Sequence, residues 1–189
     1  SLVFGMGGYS SFPVCIAATI LRIPFIIYEN NLYLGKANRY LLPYAKKIFV
    51  SYKELEGISE KYHKKVCEIG NIIRKEILNF KIKSDFNQND KKLKILILGG
   101  SQAAKIFAEK LTKIFKECNE AKIPLKIYQQ CLPEQNKFLT SFYGDLNIDF
   151  EIFNFSNNIL DYFSKINLAI TRSGSSMLAE LINAQIPFI

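Results

Sequence analysis

An apolar run that ends in a glycine pair and turns at once into a helical period constrains this chain more than any other stretch. Lys94-Ile95-Leu96-Ile97-Leu98 reads as a strand, Gly99-Gly100-Ser101-Gln102 as a tight turn, and a helix is expected from about Ala103. A glycine pair lets the backbone approach a ligand closely, and the helix N-terminus behind it offers unpaired N–H groups and roughly half a positive charge. Two readings stay open at this point: a diphosphate cradle, or a glycine turn kept for packing.

The same alternation recurs along the chain. Strands are expected at 2–4, 24–28 and 47–50, with helices at 13–21 and 36–44. The pattern breaks at CEIGNIIR, between Val66 and Arg74, and the stretch Lys81 to Lys92 is polar enough to predict a surface loop. A second series follows, with strands at 93–98, 124–129, 147–152 and 167–171 and helices at 103–119, 133–142, 157–164 and 175–184. Pro187-Phe188-Ile189 opens one more strand. Continuous apolar strands alternating with helices predict parallel sheets covered on both faces, an α/β class.

Composition narrows the function classes. Hydrophobic residues make up 49% and charged residues 22%, which places the chain among globular proteins and not disordered ones. The longest apolar stretch, near Phe12 to Ile27, is interrupted by Arg22 and Pro24, so no bilayer span is expected, and Ser1-Leu2-Val3-Phe4 has no basic leader character. Cys15, Cys67, Cys118 and Cys131 are scattered without a CxxC pair, and His63 is the lone histidine, so no metal site is expected and the thiols read as reduced packing residues. The formal net charge of +8 suits a phosphate-rich ligand or an anionic membrane surface. Nucleic acid is not expected, because no recognition motif accompanies the charge. The charge also fits a simple lysine-rich compositional bias.

Five segments in order carry a resemblance: Gly5-Met6-Gly7-Gly8-Tyr9-Ser10-Ser11-Phe12-Pro13; Tyr28-Glu29-Asn30-Asn31 with Leu34-Gly35-Lys36-Ala37-Asn38-Arg39; Gly70-Asn71-Ile72-Ile73-Arg74; Gly99-Gly100-Ser101-Gln102-Ala103; and Thr171-Arg172-Ser173-Gly174-Ser175-Ser176-Met177-Leu178-Ala179-Glu180. Together they resemble the MurG family, transferases that add N-acetylglucosamine to lipid-linked muramyl-pentapeptide in peptidoglycan synthesis. The resemblance spans nearly the whole chain. It implies a GT-B fold: two Rossmann-like parallel-sheet domains facing a cleft, both incomplete here. Residues 1–73 would be the later part of the acceptor domain, and 74–189 the earlier part of the UDP-sugar domain. The chain is then expected to be an internal piece of a longer protein, inactive in transfer by itself.

Site roles follow from the resemblance. Gly5, Gly7, Gly8, Tyr9 and Ser10 would form the acceptor diphosphate loop, and Asn31 would meet acceptor sugar hydroxyls. Arg74 would reach the donor diphosphate, with Ser101 and Gln102 donating to the UDP phosphates. Ser175 and Ser176 would line the nucleotide site, and Glu180, one and a half turns into its helix, would accept hydrogen bonds from the ribose hydroxyls. Without the family, Glu180 is an ordinary helix glutamate and Arg74 a surface residue at a junction. The implied reaction is inverting, metal-independent transfer from UDP-N-acetylglucosamine to the acceptor C4 hydroxyl, at the cytoplasmic face of the bacterial inner membrane. No cofactor is implied. The stretch Asn38 to Lys47 is basic and apolar enough to lie on that membrane, or to be a buried helix with a charged end.

Departures from the family pattern are visible. Tyr28 stands where the family usually has histidine. Cys131 and Leu132 replace a small residue and glycine after Gln130, which predicts crowding of the nucleotide. No convincing general base is present, and His63 sits in a solvated stretch. Two other readings remain: a different GT-B enzyme such as a UDP-N-acetylglucosamine 2-epimerase, and a decayed or non-catalytic nucleotide-binding remnant.

Overall fold

A computed structural model describes residues 1–80, 91–156 and 158–189, with the backbone alone described at 100–104. The expected loop at 81–92 lies outside the described residues, apart from its last two. The chain divides into two compact units, Ser1–Ile72 and Ile73–Ile189.

The first unit runs β1 (Val3–Gly5), α1 (Gly8–Ile20), β2 (Phe25–Glu29), α2 (Lys36–Leu41), β3 (Lys47–Val50), a 3₁₀ turn (Glu60–Lys65) and β4 (Val66–Glu68). The strands form a wholly parallel sheet in the order β1-β2-β3-β4. Phe25, Ile27, Ile48 and Val50 pack with Cys15 of α1 and Leu41 of α2 into its core. The approach of α1 to β1 is close: a Cβ on Gly5 would meet Cys15 Sγ at 2.7 Å.

Three features differ from the expectations. The first helix begins at Gly8 and not at Pro13. Proline suits a first turn, but Pro13 stands well inside α1 on its exposed side, where the carbonyl it leaves unbonded can be hydrated. Ser11 Oγ donates to Gly7 O at 2.8 Å and helps close the true first turn. The second helix ends at Leu41, short of Tyr44, because Pro43 brings no N–H to the ladder. The Lys65 ammonium takes over there, donating to Leu42 O (3.1 Å), Pro43 O (2.8 Å) and Ala45 O (2.8 Å). Finally, the stretch where the apolar pattern breaks contains β4, a three-residue edge strand carrying Cys67 and Glu68. So short and polar an edge has no period to read.

Tyr28 ties this edge back to β2. Its buried phenol shares a 2.7 Å hydrogen bond with Ser51 Oγ, donates to Gly70 O (3.2 Å) and accepts from Ile72 N (3.1 Å). A histidine ring has neither this reach nor a hydroxyl able to donate and accept at one atom.

The second unit opens with α3 (Lys75–Leu78) and continues β5 (Leu93–Leu98), α4 (Gly100–Glu120), β6 (Leu125–Gln130), a 3₁₀ turn (Pro133–Gln135), α5 (Asn136–Asp145), β7 (Asp149–Phe153), α6 (Leu160–Phe163), β8 (Leu168–Thr171) and α7 (Ser175–Asn183). Its parallel sheet has the order β7-β6-β5-β8. The strand period separates two cores. Ile95 and Ile97 face Ile127, Leu139 and Tyr143, whereas Leu96 and Leu98 face Phe163, Ala169 and Leu181. Both faces of β5 are therefore covered, as its continuous apolar run requires. The helix expected at 157–164 is shortened to one turn, and Pro187–Ile189 runs parallel to β8 at the bridge Ala169↔Phe188, with Ala169 N donating to Pro187 O, Ile189 N to Ala169 O and Thr171 N to Ile189 O. Among the described residues, no helix is long and apolar enough to cross a membrane.

Candidate functional site

Each unit carries a pocket at the C-terminal ends of its strands, the edge where open α/β sheets bind ligands. In the first unit, the pocket has a volume of about 670 Å³ and is bounded by the turn after β1, the loop after β2 and the start of α2. Gly7, Gly8, Tyr9, Asn31, Lys36 and Asn38 line it. Gly5 and Ser10 do not; they border a separate hollow of about 230 Å³. Gly5 is buried in β1, and Ser10 lies within α1. The expected loop is thus split between a strand end and a helix N-terminus. Gly7 caps α1 at φ 77° and ψ −174°, a conformation open essentially to glycine alone.

Glu29 organises this pocket. The residue is 4% exposed, and four N–H groups meet its carboxylate. Oε1 accepts from Asn31 N (3.2 Å) and Asn31 Nδ2 (2.8 Å), while Oε2 accepts from Gly35 N (2.9 Å) and Asn38 Nδ2 (3.0 Å). Asn38 Nδ2 also donates to Tyr28 O at 2.9 Å. The Asn38 Oδ1 is buried and has no hydrogen-bond partner among the described residues, although the residue lines the pocket. That acceptor is suited to a ligand N–H or O–H. Sequence reasoning named Asn31 and passed over Glu29 and Asn38 as site residues. The available signal was an asparagine among Ala37, Leu41 and Leu42 on a short helix, where a polar side chain facing the core needs partners.

The second pocket encloses about 600 Å³. The order β7-β6-β5-β8 reverses direction at β5, so the connections leaving β5 and β8 diverge and open a crevice between those strand ends. Leu98 and Gly99 from β5, Gln130 from β6, Phe153 from β7 and Arg172 to Gly174 after β8 line it, with Arg74 at its wall. Thr171 Oγ1 donates to Leu98 O at 3.1 Å and holds the two strand ends together. The N-terminus of α7, capped by Gly174, faces this crevice with its partial positive charge. Phe153 is stacked on Tyr162 at 4.5 Å between ring centroids. Tyr162 donates to Glu151 Oε1 at 2.8 Å; burial, followed by that carboxylate, pushes its phenol up to about 12, so it remains a donor at neutral pH.

The predicted residues of this unit fall into three groups. Ser101 and Gln102 belong to the first turn of α4, and their side chains lie outside the described residues. Ser175 and Ser176 open α7 but are not among the residues lining the pocket. Arg74 and Glu180 are brought together across 106 positions: Arg74 Nε donates to Glu180 Oε1 and Nη2 to Glu180 Oε2, both at 2.8 Å. This fork geometry gives two parallel charge-assisted bonds. The hydrogen bond from Glu180 raises the Arg74 pKa above its usual value, against a smaller opposing effect of partial burial. Arg74 lines the pocket and Glu180 does not.

Cys131 does not crowd this site. It is 2% exposed in the core beneath α5, where its thiol donates to Asn136 Oδ1, and burial pushes its pKa up. The β6 pleat turns Gln130 toward the pocket and its neighbour away. His63 is exposed in the 3₁₀ turn and lines neither pocket.

Comparison with known proteins follows the same two-part division. Residues 1–50 match the glycosyltransferase family 28 N-terminal domain, and residues 94–189 match its C-terminal domain. The UDP-N-acetylglucosamine--N-acetylmuramyl-(pentapeptide) pyrophosphoryl-undecaprenol N-acetylglucosamine transferase of Pelagibacter ubique is 37% identical over 97% of this chain and 50% of its own length. The enzyme of the same name from Rickettsia bellii is 35% identical over 100% of this chain and 54% of its own. The chain thus spans about half the length of the curated relatives it matches. Among solved structures, Acinetobacter baumannii MurG superposes with a TM-score of 0.67 at 28% identity, over 95% of this chain and 49% of that one. The UDP-GlcNAc 2-epimerase of Neisseria meningitidis, bound to UDP-GlcNAc, gives a TM-score of 0.63 at 17% identity, over 100% of this chain and 58% of that one, which is a likeness of fold.

Proposed function

This chain belongs to glycosyltransferase family 28, and from that premise we propose that it forms part of an enzyme moving N-acetylglucosamine from UDP-N-acetylglucosamine to the C4 hydroxyl of undecaprenyl-diphospho-N-acetylmuramyl-pentapeptide. The observation that carries the reading is the crevice between β5 and β8, where Arg74, Arg172 and the N-terminus of α7 border one hollow. Such a site suits a nucleoside diphosphate. The first-unit pocket, with Gly7, Gly8, Asn31 and Asn38, is the acceptor side on this reading.

In the proposed reaction, the acceptor oxygen forms a bond to the anomeric carbon as the bond from that carbon to the UDP oxygen breaks. The nucleophile attacks opposite the leaving group, so the configuration inverts. Arg74, Arg172 and the helix N-terminus offset the charge that develops on departing UDP, without a metal ion. The acceptor proton passes to a base. Glu29 is poorly suited to that task, because four N–H groups already occupy its oxygens. The epimerase reading draws on fold likeness alone.

Protein captured from its own cells should convert UDP-[¹⁴C]-N-acetylglucosamine and the lipid-linked acceptor into a labelled lipid product. Binding of UDP without any labelled lipid would overturn the transfer and leave a nucleotide-binding remnant.

We further propose that the face around α2 meets the anionic membrane holding the acceptor lipid. Tyr40 and Tyr44 are exposed there, with Lys46 and Lys47 exposed beside them, while Leu41, Leu42 and Ala45 are buried. Binding to phosphatidylglycerol vesicles should weaken with salt and be lost in a Lys46→Glu/Lys47→Glu variant. Equal binding by that variant would remove this face from the interaction.

A further inference from the structure

Glycine is the residue that bends most easily at a junction, and Gly70, with its φ of 78°, stands just ahead of the boundary between the two units. The hydrogen bonds around it place the bend elsewhere. We propose that the Tyr28 hydroxyl clamps Gly70-Asn71-Ile72 to the first unit, so that the connection between the units bends at a single point, the peptide link from Ile72 to Ile73.

On the first unit's side, the chain is held as far as Ile72. Ile69 N donates to Val50 O at 3.0 Å and carries the pairing of β4 one residue further. Tyr28, near the end of β2, then takes over. Its phenol donates its one proton to Gly70 O (3.2 Å) and accepts from Ile72 N (3.1 Å) and from the Ser51 hydroxyl (2.7 Å). One donated and two accepted bonds use the full capacity of a hydroxyl. Tyr28 is buried, so water is a poor replacement for any of these partners. A single oxygen thus bridges both ends of the tripeptide and removes the freedom that Gly70 would otherwise have.

On the second unit's side, the chain is held again at once. Ile73 packs against the core that contains Ile77, Phe163 and Leu181. Arg74 O accepts from Ile77 N (3.0 Å) and Leu78 N (3.1 Å), and the Arg74 guanidinium is fixed on Glu180. Asn183 Nδ2 of α7 donates to Ile77 O at 2.8 Å and ties α3 down. Ile73 N has no hydrogen-bond partner among the described residues. What is left to turn is ψ of Ile72 and φ of Ile73, because the peptide between them is planar. Both residues are β-branched, which keeps them out of left-handed backbone and limits the bend to rocking within one region. Such a hinge has a use here. Tyr28 precedes Glu29, which organises the first-unit pocket, and Arg74 lines the second-unit pocket. Bending between these two anchors lets the units reorient while the walls of each pocket stay as they are.

The competing arrangement puts the bend at Gly70. Amide hydrogen exchange, together with the distance distribution between spin labels at Lys53→Cys and Lys137→Cys, separates the two. Those positions are exposed, one in each unit, and Cys67→Ser and Cys118→Ser remove the thiols that are not buried. Tyr28→Phe keeps the ring and loses the hydroxyl. Its Ile72 amide should exchange about tenfold faster than in wild type, with the Ile27 amide unchanged as the sign of an intact sheet, and the label distances should spread. Ile73→Pro removes no hydrogen bond but fixes φ at 73 and restricts residue 72, so it should narrow the spread. Should Tyr28→Phe fold poorly, Ile73→Pro decides by itself. Unchanged exchange at Ile72 in folded Tyr28→Phe, or an unchanged spread in Ile73→Pro, overturns the clamp and returns the bend to Gly70.

Discussion

Glu29→Ala should destabilise the first unit by about 4 kcal/mol, because it removes the acceptor on which four N–H groups converge. The four N–H groups that hold this carboxylate are all amides, two from Asn31 and one each from Gly35 and Asn38. Asn38 Nδ2 retains Tyr28 O, but Gly35 N and the two Asn31 donors lose the oxygens they meet. Water is a poor substitute at a residue that is 4% exposed. Glu29→Gln should be less costly yet still destabilising, since its amide NH₂ would confront at least one donor it cannot accept from. Urea unfolding reads the loss, and hydrogen exchange at Gly35 locates it: its amide should exchange faster in the variant. A loss below about 1 kcal/mol would mean that solvent reaches this site freely.

Gly7→Ala should cost about 3 kcal/mol and close the same pocket. Two effects add. The φ of 77° with ψ of −174° lies where side chains other than hydrogen are essentially excluded. A Cβ would also stand 3.3 Å from Asn38 Nδ2, and that amide cannot retreat without releasing Tyr28 O and Glu29. Gly8→Ala is the matched control. Its φ is 74°, but an added Cβ would meet nothing within 4 Å, so it carries backbone strain without the collision. Thermal melts should therefore rank Gly7→Ala well below Gly8→Ala. Equal melting temperatures would remove the Asn38 contact from the explanation.

Much of the second unit was legible in the chain itself. The β5 run has four consecutive apolar residues, 95–98, that divide between two cores, and a strand buried on both faces must be continuously apolar. In the first unit, Phe25 and Ile27 of β2 and Ile48 and Val50 of β3 enter one core. Helix boundaries were less legible where proline was ambiguous. Pro13 fits a helix start by propensity, and only the packing of Cys15 against Gly5 and the cap at Gly7 reveal that the helix begins earlier. The edge strand β4 could not be read from period or apolarity, since one half-buried and two exposed residues show neither.

The site shows the same division more sharply. Glycine turns followed by helices are local features, so Gly7, Gly8 and Gly99 could be singled out from adjacent residues, whereas the segment from Arg172 to Glu180 was marked by the family resemblance. Long-range pairing could not be read locally. Arg74 and Glu180 were each marked for a ligand, and nothing in the linear order states that they bind each other across 106 positions. Tyr28 read as the loss of an imidazole, but the fold makes it a link to Gly70 and Ile72. Cys131 read as an obstruction until the β6 pleat sent it into the core.

What the sequence determined alone is the set of local decisions: which runs are strands, where glycine lets the chain turn, and hence a parallel α/β architecture with ligands at the strand ends. Hydrophobic period and backbone freedom are properties of neighbours, so neighbours suffice to read them. Only the tertiary structure decided which polar groups satisfy one another, because hydrogen bonds and ion pairs depend on distances of about 3 Å between residues that the chain keeps far apart. Glu29 became an anchor, Arg74 a partner of Glu180 and Tyr28 a tie for those reasons of distance.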